Sequence, residues 1–252
     1  MRISVSKMGL FKSCRRAYEL KYVEGLEPIR KSNALQLGTN FHEKLEHINK
    51  GESFGEEDLT KESAMAIAYK KYIAPRFNVI RSEQWFEYQL SKDDTLVGIV
   101  DGIADDDSLV EYKSTSSVNL DEYEYSLEWD EQILMYMLLT GKRRIHYVVC
   151  RKPNIRQRKG ETDEWFFRRM CNWFDEDTNN KIRLIEVVRT DEQVENFRND
   201  MIETAYVMNF AEEKKLFYKN TGHCWKWGRQ CEYAPVCLHY DPNEEYVEFE
   251  RS

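Results

Sequence analysis

Apolar side chains recur along the 252 residues at two spacings, and the alternation between them divides the chain into helices and strands. In 5–22, VSKMGLFKSCRRAYELKY, the positions Met8, Phe11, Tyr18 and Tyr22 fall at roughly helical spacing, with Cys14 inside the same helix. A second helix is predicted over about 35–49, striped by Phe41, Leu45 and Ile48 and stopped at Gly51. His42 projects beside that stripe, one turn ahead of Glu46. A third helix covers 59–74 and ends before Pro75, whose ring disfavours helical backbone in the residue ahead of it. The segment 83–90, EQWFEYQL, reads as a strand leading into 96–113, LVGIVDGIADDDSLVEYK. That stretch reads as two short strands joined by the polar turn Asp105-Asp106-Asp107-Ser108. A helix over 129–140 closes on Gly141, and the β-branched and aromatic run 143–150 is a strand. The pattern of 164–171 does not choose between helix and strand. Strand 182–188 precedes Thr190, an N-cap with Gln193 three residues on, and the helix it opens runs to about Leu216. The remaining tail is irregular and holds three of the six cysteines.

Alternating helices and strands with one central hairpin predict an α/β fold around a small mixed sheet. No linker, repeat or low-complexity tract interrupts 1–252, so a single domain is expected, with 83–150 as its core. A hydrophobic fraction of 41% with 13% aromatics is enough for a real core and excludes general disorder. The net charge of −8 argues against a protein that coats nucleic acid non-specifically, while leaving room for a local basic groove. No apolar run is long enough to span a membrane and MRISVSKMGLFKSC lacks a signal-peptide core, so a cytoplasmic location is expected, with reduced cysteines.

The hairpin carries the candidate chemistry. If the loop is Asp105–Asp107, Ala104 pairs with Ser108 and Asp101 lies across from Glu111. Opposed side chains in an antiparallel pair are about 5 Å apart at Cβ, close enough for two carboxylates to share a cation. Glu111 and Lys113 point to one face, and Asp101 shares its face with Val97, Ile99 and Ile103. A carboxylate among apolar neighbours needs a partner or a metal, and hard oxygen donors suit Mg²⁺ or Mn²⁺. From the hairpin alone, a buried Asp101–Lys113 ion pair with Glu111 at an edge explains the pattern equally well.

Three further features add to it: Gly38-Thr39-Asn40-Phe41-His42 upstream, Gln132-Ile133-Leu134-Met135-Tyr136 downstream, and Cys14 with Cys224, Cys231 and Cys237 bracketing both. In this order, with the opening ISVSKMGLFKSCRRAYELKYVEGL, the chain resembles the PD-(D/E)XK nucleases of the RecB type along nearly its whole length. It is most similar to their iron–sulfur branch, which includes the AddB nuclease domain, CRISPR-adaptation exonucleases and stand-alone phage exonucleases. The resemblance implies a restriction-endonuclease-like core, a small mixed sheet flanked by helices, with a C-terminal cysteine-rich tail joined to the N-terminal helix through a metal cluster. It implies that 1–30 and 217–240 supply the cluster. It makes His42, Asp101 and Glu111 ligands of Mg²⁺ or Mn²⁺, with the Tyr112 backbone carbonyl a further ligand, and Lys113 the catalytic lysine. Gln132 and Tyr136 match its Q-x-x-x-Y motif, which contacts DNA and supports the site; four residues apart, they share a helix face. Cys14, Cys224, Cys231 and Cys237 would hold a 4Fe–4S cluster, with structural Zn²⁺ the rival reading on spacing alone. Two departures stand out: Val100 replaces the family's proline before Asp101, and the tail cysteines are spaced C-x6-C-x5-C.

Between Lys142 and Arg169 ten basic residues face three acidic ones, a block that suits either a solvated loop or a wall tracking phosphates. Arg15, Arg16, Arg151, Lys152, Arg156 and Arg158 are the DNA-binding candidates, and Trp165, Phe166 and Phe167 are aromatic side chains able to stack or to bury. Cys150 and Cys171 are expected as buried bystanders. The leading expectation is a metal-dependent DNA exonuclease acting on single strands or ends in a bacterial or phage-infected cell. A homo-oligomer or a partner in recombination, CRISPR adaptation or phage replication would fit. The alternatives are an inactive DNA-binding or adaptor protein of the same fold and a zinc-stapled regulatory protein.

Overall fold

The computed structural model describes all residues except 30, 31, 227, 240, 242–248 and 252. The chain opens with β1 (Arg2–Ile3) and α1 (Val5–Ser13), whose first turn is capped by Ser4 Oγ accepting from Lys7 N at 3.2 Å. Cys14 does not lie within the helix, as its spacing suggests. Its backbone is extended (φ −160, ψ 111), and it ends α1 before α2 (Arg15–Tyr18) begins. β2 (Leu26–Pro28) follows, then α3 (Asn33–Asn49), α4 (Lys61–Tyr72), β3 (Val79–Gln89), β4 (Thr95–Ala104) and β5 (Leu109–Thr115). Pro75 lies in a short 3₁₀ turn after α4. α5 (Leu120–Ser126), which the sequence reading missed, and α6 (Glu131–Thr140) lead to β6 (Arg144–Arg151).

α7 (Asp163–Glu176) settles the ambiguous segment as helix, because Phe167, Met170 and Phe174 bury one face at helical spacing. β7 (Ile182–Val188) and α8 (Asp191–Lys214) follow, and Thr190 and Gln193 form the expected reciprocal cap, with N···O distances of 2.9 and 3.2 Å. The tail is not wholly irregular: it folds into α9 (Thr221–Cys224), β8 (Trp225–Lys226), β9 (Arg229–Gln230), α10 (Ala234–His239) and β10 (Phe249–Arg251).

The chain divides into two compact units. The larger comprises 32–86 and 99–194, the smaller 1–31, 87–98 and 195–252. In the larger, β4 runs antiparallel to β5, β5 parallel to β6, and β6 antiparallel to β7, a mixed sheet. α5 and α6 form the crossover that a parallel β5–β6 pair requires. Val110, Tyr112, Val148 and Cys150 on one sheet face bury against Phe41 and Leu45 of α3, Met65 and Tyr69 of α4, and Phe167, Met170 and Phe174 of α7. Side chains alternate, so Glu111 and Tyr147 point to the other face. In the smaller unit β1 pairs parallel with the start of β4, and β2 pairs antiparallel with β10. Asp94 Oδ1 accepts from the Met1 ammonium at 2.9 Å and from Asn209 Nδ2 at 2.8 Å. No helix among the described residues is long and apolar enough to cross a membrane.

Candidate active site

The hairpin sets the geometry. Gly102 pairs with Val110 and Ile103 with Leu109, and Ala104 N donates to Ser108 O at 2.9 Å. This is the register that puts Asp101 across from Glu111. Gly102 serves packing here: a Cβ on it would meet Val79 Cγ1 at 2.9 Å. The strand face around Asp101 is not uniformly apolar and buried, since Ile99 is 48% exposed. Asp101 therefore lies where a buried sheet opens outwards.

Six side chains from four elements of the larger unit meet here. His42 Nδ1 of α3 lies 3.5 Å from Asp101 Oδ1, and Tyr112 N donates to Asp101 Oδ2 at 2.8 Å. On β5, Lys113 Nζ donates to Glu111 Oε1 and, at 3.0 Å, to Gln132 Oε1. Gln132 Nε2, on α6, donates to Glu111 Oε1 and to the Tyr136 hydroxyl, both at 2.8 Å. The other Glu111 oxygen, Oε2, is buried with no hydrogen-bond partner. Neither rival sequence reading describes this fully. Lys113 is paired, but with Glu111, and the pairing leaves a carboxylate oxygen orphaned.

The electrostatics follow from burial and mutual charge. Burial, then the neighbouring Asp101 charge, pushes the Glu111 carboxyl up to about 8 against the opposing pull of Lys113. Burial alone would raise Asp101 too, but His42, the Tyr112 N–H and Lys113 outweigh it and hold Asp101 below its usual range. Burial would lower His42 and Lys113, yet the facing carboxylates raise both. Burial, with the Glu111 charge, keeps the Tyr136 phenol protonated.

Two residues with a supporting role escaped the sequence reading. Asp130 caps α6 by accepting from Gln132 N at 2.8 Å, and Tyr147 OH donates to Asp130 Oδ2 at 3.3 Å. The pair fixes the first turn of α6 over the site; an acid just before an apolar helix was the available signal. A groove of about 700 Å³ opens beside the cluster, lined by His42, Glu83, Lys113, Ser114 and Lys152 among others. Tyr112 turns its ring to the opposite face, where Tyr69 and Asn49 hold its hydroxyl at 3.2 and 2.9 Å.

The cysteines belong to the smaller unit. Cys14 is buried with Leu20, Leu26, Tyr233 and Val236, and Cys231 and Cys237 pack against the same core. Cys231 N donates to Cys224 O at 2.9 Å, and Asn220 N to Cys14 Sγ at 3.4 Å. None of the four is in a disulfide. Among the described residues, no three His, Cys, Asp or Glu side chains stand ready-made around a metal. Of the two bystanders, Cys150 is buried and Cys171 half-buried.

The DNA-binding candidates divide. Arg15 stacks on Phe11 and Tyr218 and Arg16 pairs with Glu19, so both have work within the smaller unit. Early in the basic block the charge is largely cancelled: Lys142 pairs with Asp107, Arg143 with Asp191, and Arg144 lies near Asp106 and Glu186. Arg151 covers Trp173 and donates to Asn180 O at 2.9 Å. Lys152 reaches the groove, and Arg156 and Arg158 are exposed.

Two carboxylates and an imidazole are donor types that suit a hard divalent cation, and one buried oxygen lacks a partner, although among the described residues these three do not stand ready-made around an ion either. A putative exonuclease from Eubacterium rectale has a similar fold at TM-score 0.57 and 12% identity, covering 98% of this chain and 90% of that one. An alkaline exonuclease from Laribacter hongkongensis matches at TM-score 0.43 and 12% identity over 85% and 93%. No curated protein sequence matches. The family model of the PD-(D/E)XK nuclease superfamily matches residues 2–238. With that model spanning both units and the hairpin at its centre, the chain belongs to the PD-(D/E)XK nuclease superfamily.

Proposed function

We propose that this protein is a metal-dependent deoxyribonuclease that hydrolyses phosphodiester bonds in single-stranded DNA or at DNA ends, as an exonuclease. The observation that carries the reading is the buried, unpartnered Oε2 of Glu111, a side chain that shares its site with one further acid, one imidazole and one ammonium. An orphaned carboxylate oxygen is costly unless a ligand completes it. His42, Asp101 and Glu111 would hold Mg²⁺ or Mn²⁺, with the Tyr112 carbonyl beside them. Such an ion supplies Lewis-acid stabilisation of charge on the phosphoryl oxygens.

The chain's own groups do the rest. Lys113 now donates to Glu111; once Glu111 serves a cation, the ammonium can turn to an attacking water and to charge developing on the phosphate. Gln132 bridges Glu111, Lys113 and Tyr136, and so fixes the direction of both charged groups. The Tyr136 hydroxyl, held protonated, is a donor for a substrate phosphate. Cys14, Cys224, Cys231 and Cys237 would hold a 4Fe–4S cluster that staples the tail to the first helix. Four thiols free of disulfides, three packed on one core, suit such a group, and Zn²⁺ is the competing occupant. The test is cleavage of end-labelled single-stranded DNA. We expect degradation with Mg²⁺ or Mn²⁺, none with a chelator, and loss of activity in Lys113→Ala; cleavage that persists in that variant overturns the assignment.

A further inference from the structure

The later part of the basic block is built differently from the earlier part. Residues 152–162 form a loop leaving the end of β6, and its first residue, Lys152, lines the groove beside His42 and Lys113. Glu161 is the loop's internal anchor. It accepts from Arg169 Nε at 2.9 Å and Nη2 at 2.8 Å, and from Arg158 N at 2.8 Å. Arg169 Nη2 also donates to Arg156 O at 2.8 Å, and its guanidinium lies over the Phe166 ring. Gln157 Nε2 closes the loop onto Glu161 O at 3.0 Å and Asp163 Oδ1 at 2.8 Å. The Arg169 hydrogen bonds hold the Glu161 carboxyl down to about 2, so the buckle stays charged at any physiological pH.

The buckle has a consequence for charge. Arg156, Arg158 and Lys159 are exposed and, among the described residues, have no carboxylate within ion-pair distance. Next to them, Phe167, Met170 and Phe174 fix α7 in the core, which leaves Trp165 on the outer face, 64% exposed. Arg168 lies over the Trp165 ring, 5.4 Å from its centroid. An exposed indole with a guanidinium on it, on the helix that follows a loop with three exposed cations, suits a ligand that is both polyanionic and aromatic.

We propose that loop 152–162, held in shape by the Glu161–Arg169 buckle, is a grip for single-stranded DNA. Arg156, Arg158 and Lys159 meet successive phosphates, Trp165 stacks on a base, and Lys152 leads the strand towards the groove. The inference rests on the nuclease reading for its substrate, but binding measured in chelator does not depend on cleavage. Glu161 and Arg169 are positioning residues and touch no substrate.

The experiment is fluorescence anisotropy of a labelled oligo-dT in chelator, with melting temperatures as the control for folding. If each of the three cations meets one phosphate, a fourfold rise in salt weakens binding to the parent roughly twentyfold more than binding to the triple variant Arg156→Gln, Arg158→Gln, Lys159→Gln. Trp165→Ala weakens binding roughly tenfold or more. Glu161→Ala gives the sharpest result, because it removes a negative charge. Electrostatics without a shaped loop predicts tighter binding; the buckle predicts binding several-fold weaker. Tighter or unchanged binding in Glu161→Ala, an unaltered salt slope in the triple variant, or equal competition by polyglutamate would each overturn the grip. Loss of cleavage with binding intact in Lys113→Ala leaves it standing, and binding lost in the loop variants of a protein that cleaves nothing would still support it.

Discussion

The two units hold their reactive groups under opposite conditions. In the larger, every charged member of the site has a partner inside the cluster: Lys113 on Glu111, His42 near Asp101, Gln132 bridging. That network neutralises most of its own charge without an ion, and only one oxygen of Glu111 is left unpaired. In the smaller, the cysteines have little to hold them. Weak contacts reach Cys14 and Cys224, and the chain around Cys224 is made of two- and four-residue elements. A site that compensates itself can fold first and take its ion later. If the thiols do hold a metal group, as proposed, their arrangement would depend on it far more than the acid cluster depends on its ion.

Substitutions sort these two behaviours by size of effect. The largest belongs to Asp101→Asn, which keeps a side-chain oxygen for the Tyr112 N–H but removes the charge that faces His42 and the ion. Cleavage should fall by roughly 10²–10³-fold with little change in melting temperature. A comparable fall in stability would show that the cluster is structural. Next comes Cys231→Ser, which should leave the acid cluster's ion affinity intact while lowering stability by several kcal/mol, a scale set by loss of other covalent or metal staples. Iron without zinc in the purified protein, with a broad visible absorption, would support the cluster; zinc would replace it.

A third effect is in pH. The Glu111 carboxyl titrates near 8 in the folded, metal-free protein against an ordinary 4.5, so the native state holds the extra proton between those values. Stability of the metal-free protein from this group is therefore greatest at low pH and declines as pH rises through that window. A divalent ion should reverse the trend, giving a larger rise in melting temperature at pH above 8 than at pH 6. An equal rise at both would remove Glu111 from the ligand set. The smallest is Thr190→Ala, worth about 1 kcal/mol from the lost helix cap, with no effect on ion affinity.

Much of the larger unit was legible in the sequence because its signals are local. Alternation fixed the strands, and three consecutive aspartates with Ser108 fixed the turn, from which the Asp101–Glu111 register followed by counting. That His42, Lys113, Gln132 and Tyr136 share one place was implied by the family resemblance, and the structure brings them together. What stayed hidden depends on groups far apart in the chain. The helix break at Cys14 could not be read because the apolar spacing continues through it. The cancelling of Lys142 and Arg143 needs Asp107 and Asp191, 35 and 48 residues away. The split of the basic block into a paired part and a free part follows from those partners, and composition sums over both. Likewise the unpartnered Glu111 oxygen is a product of packing, since Lys113 and Gln132 both act on the other one.

The proposed metal site turns on that oxygen, and Mn²⁺ binding without DNA tests it most directly. Calorimetric titration at pH above 8 of the parent and of Glu111→Gln should show one Mn²⁺ site in the parent and none in the variant. The variant should be at least as stable as the parent, because a neutral amide replaces a carboxylate whose charge is disfavoured by burial. Equal Mn²⁺ affinity in the two proteins would contradict the claim that Glu111 awaits a metal.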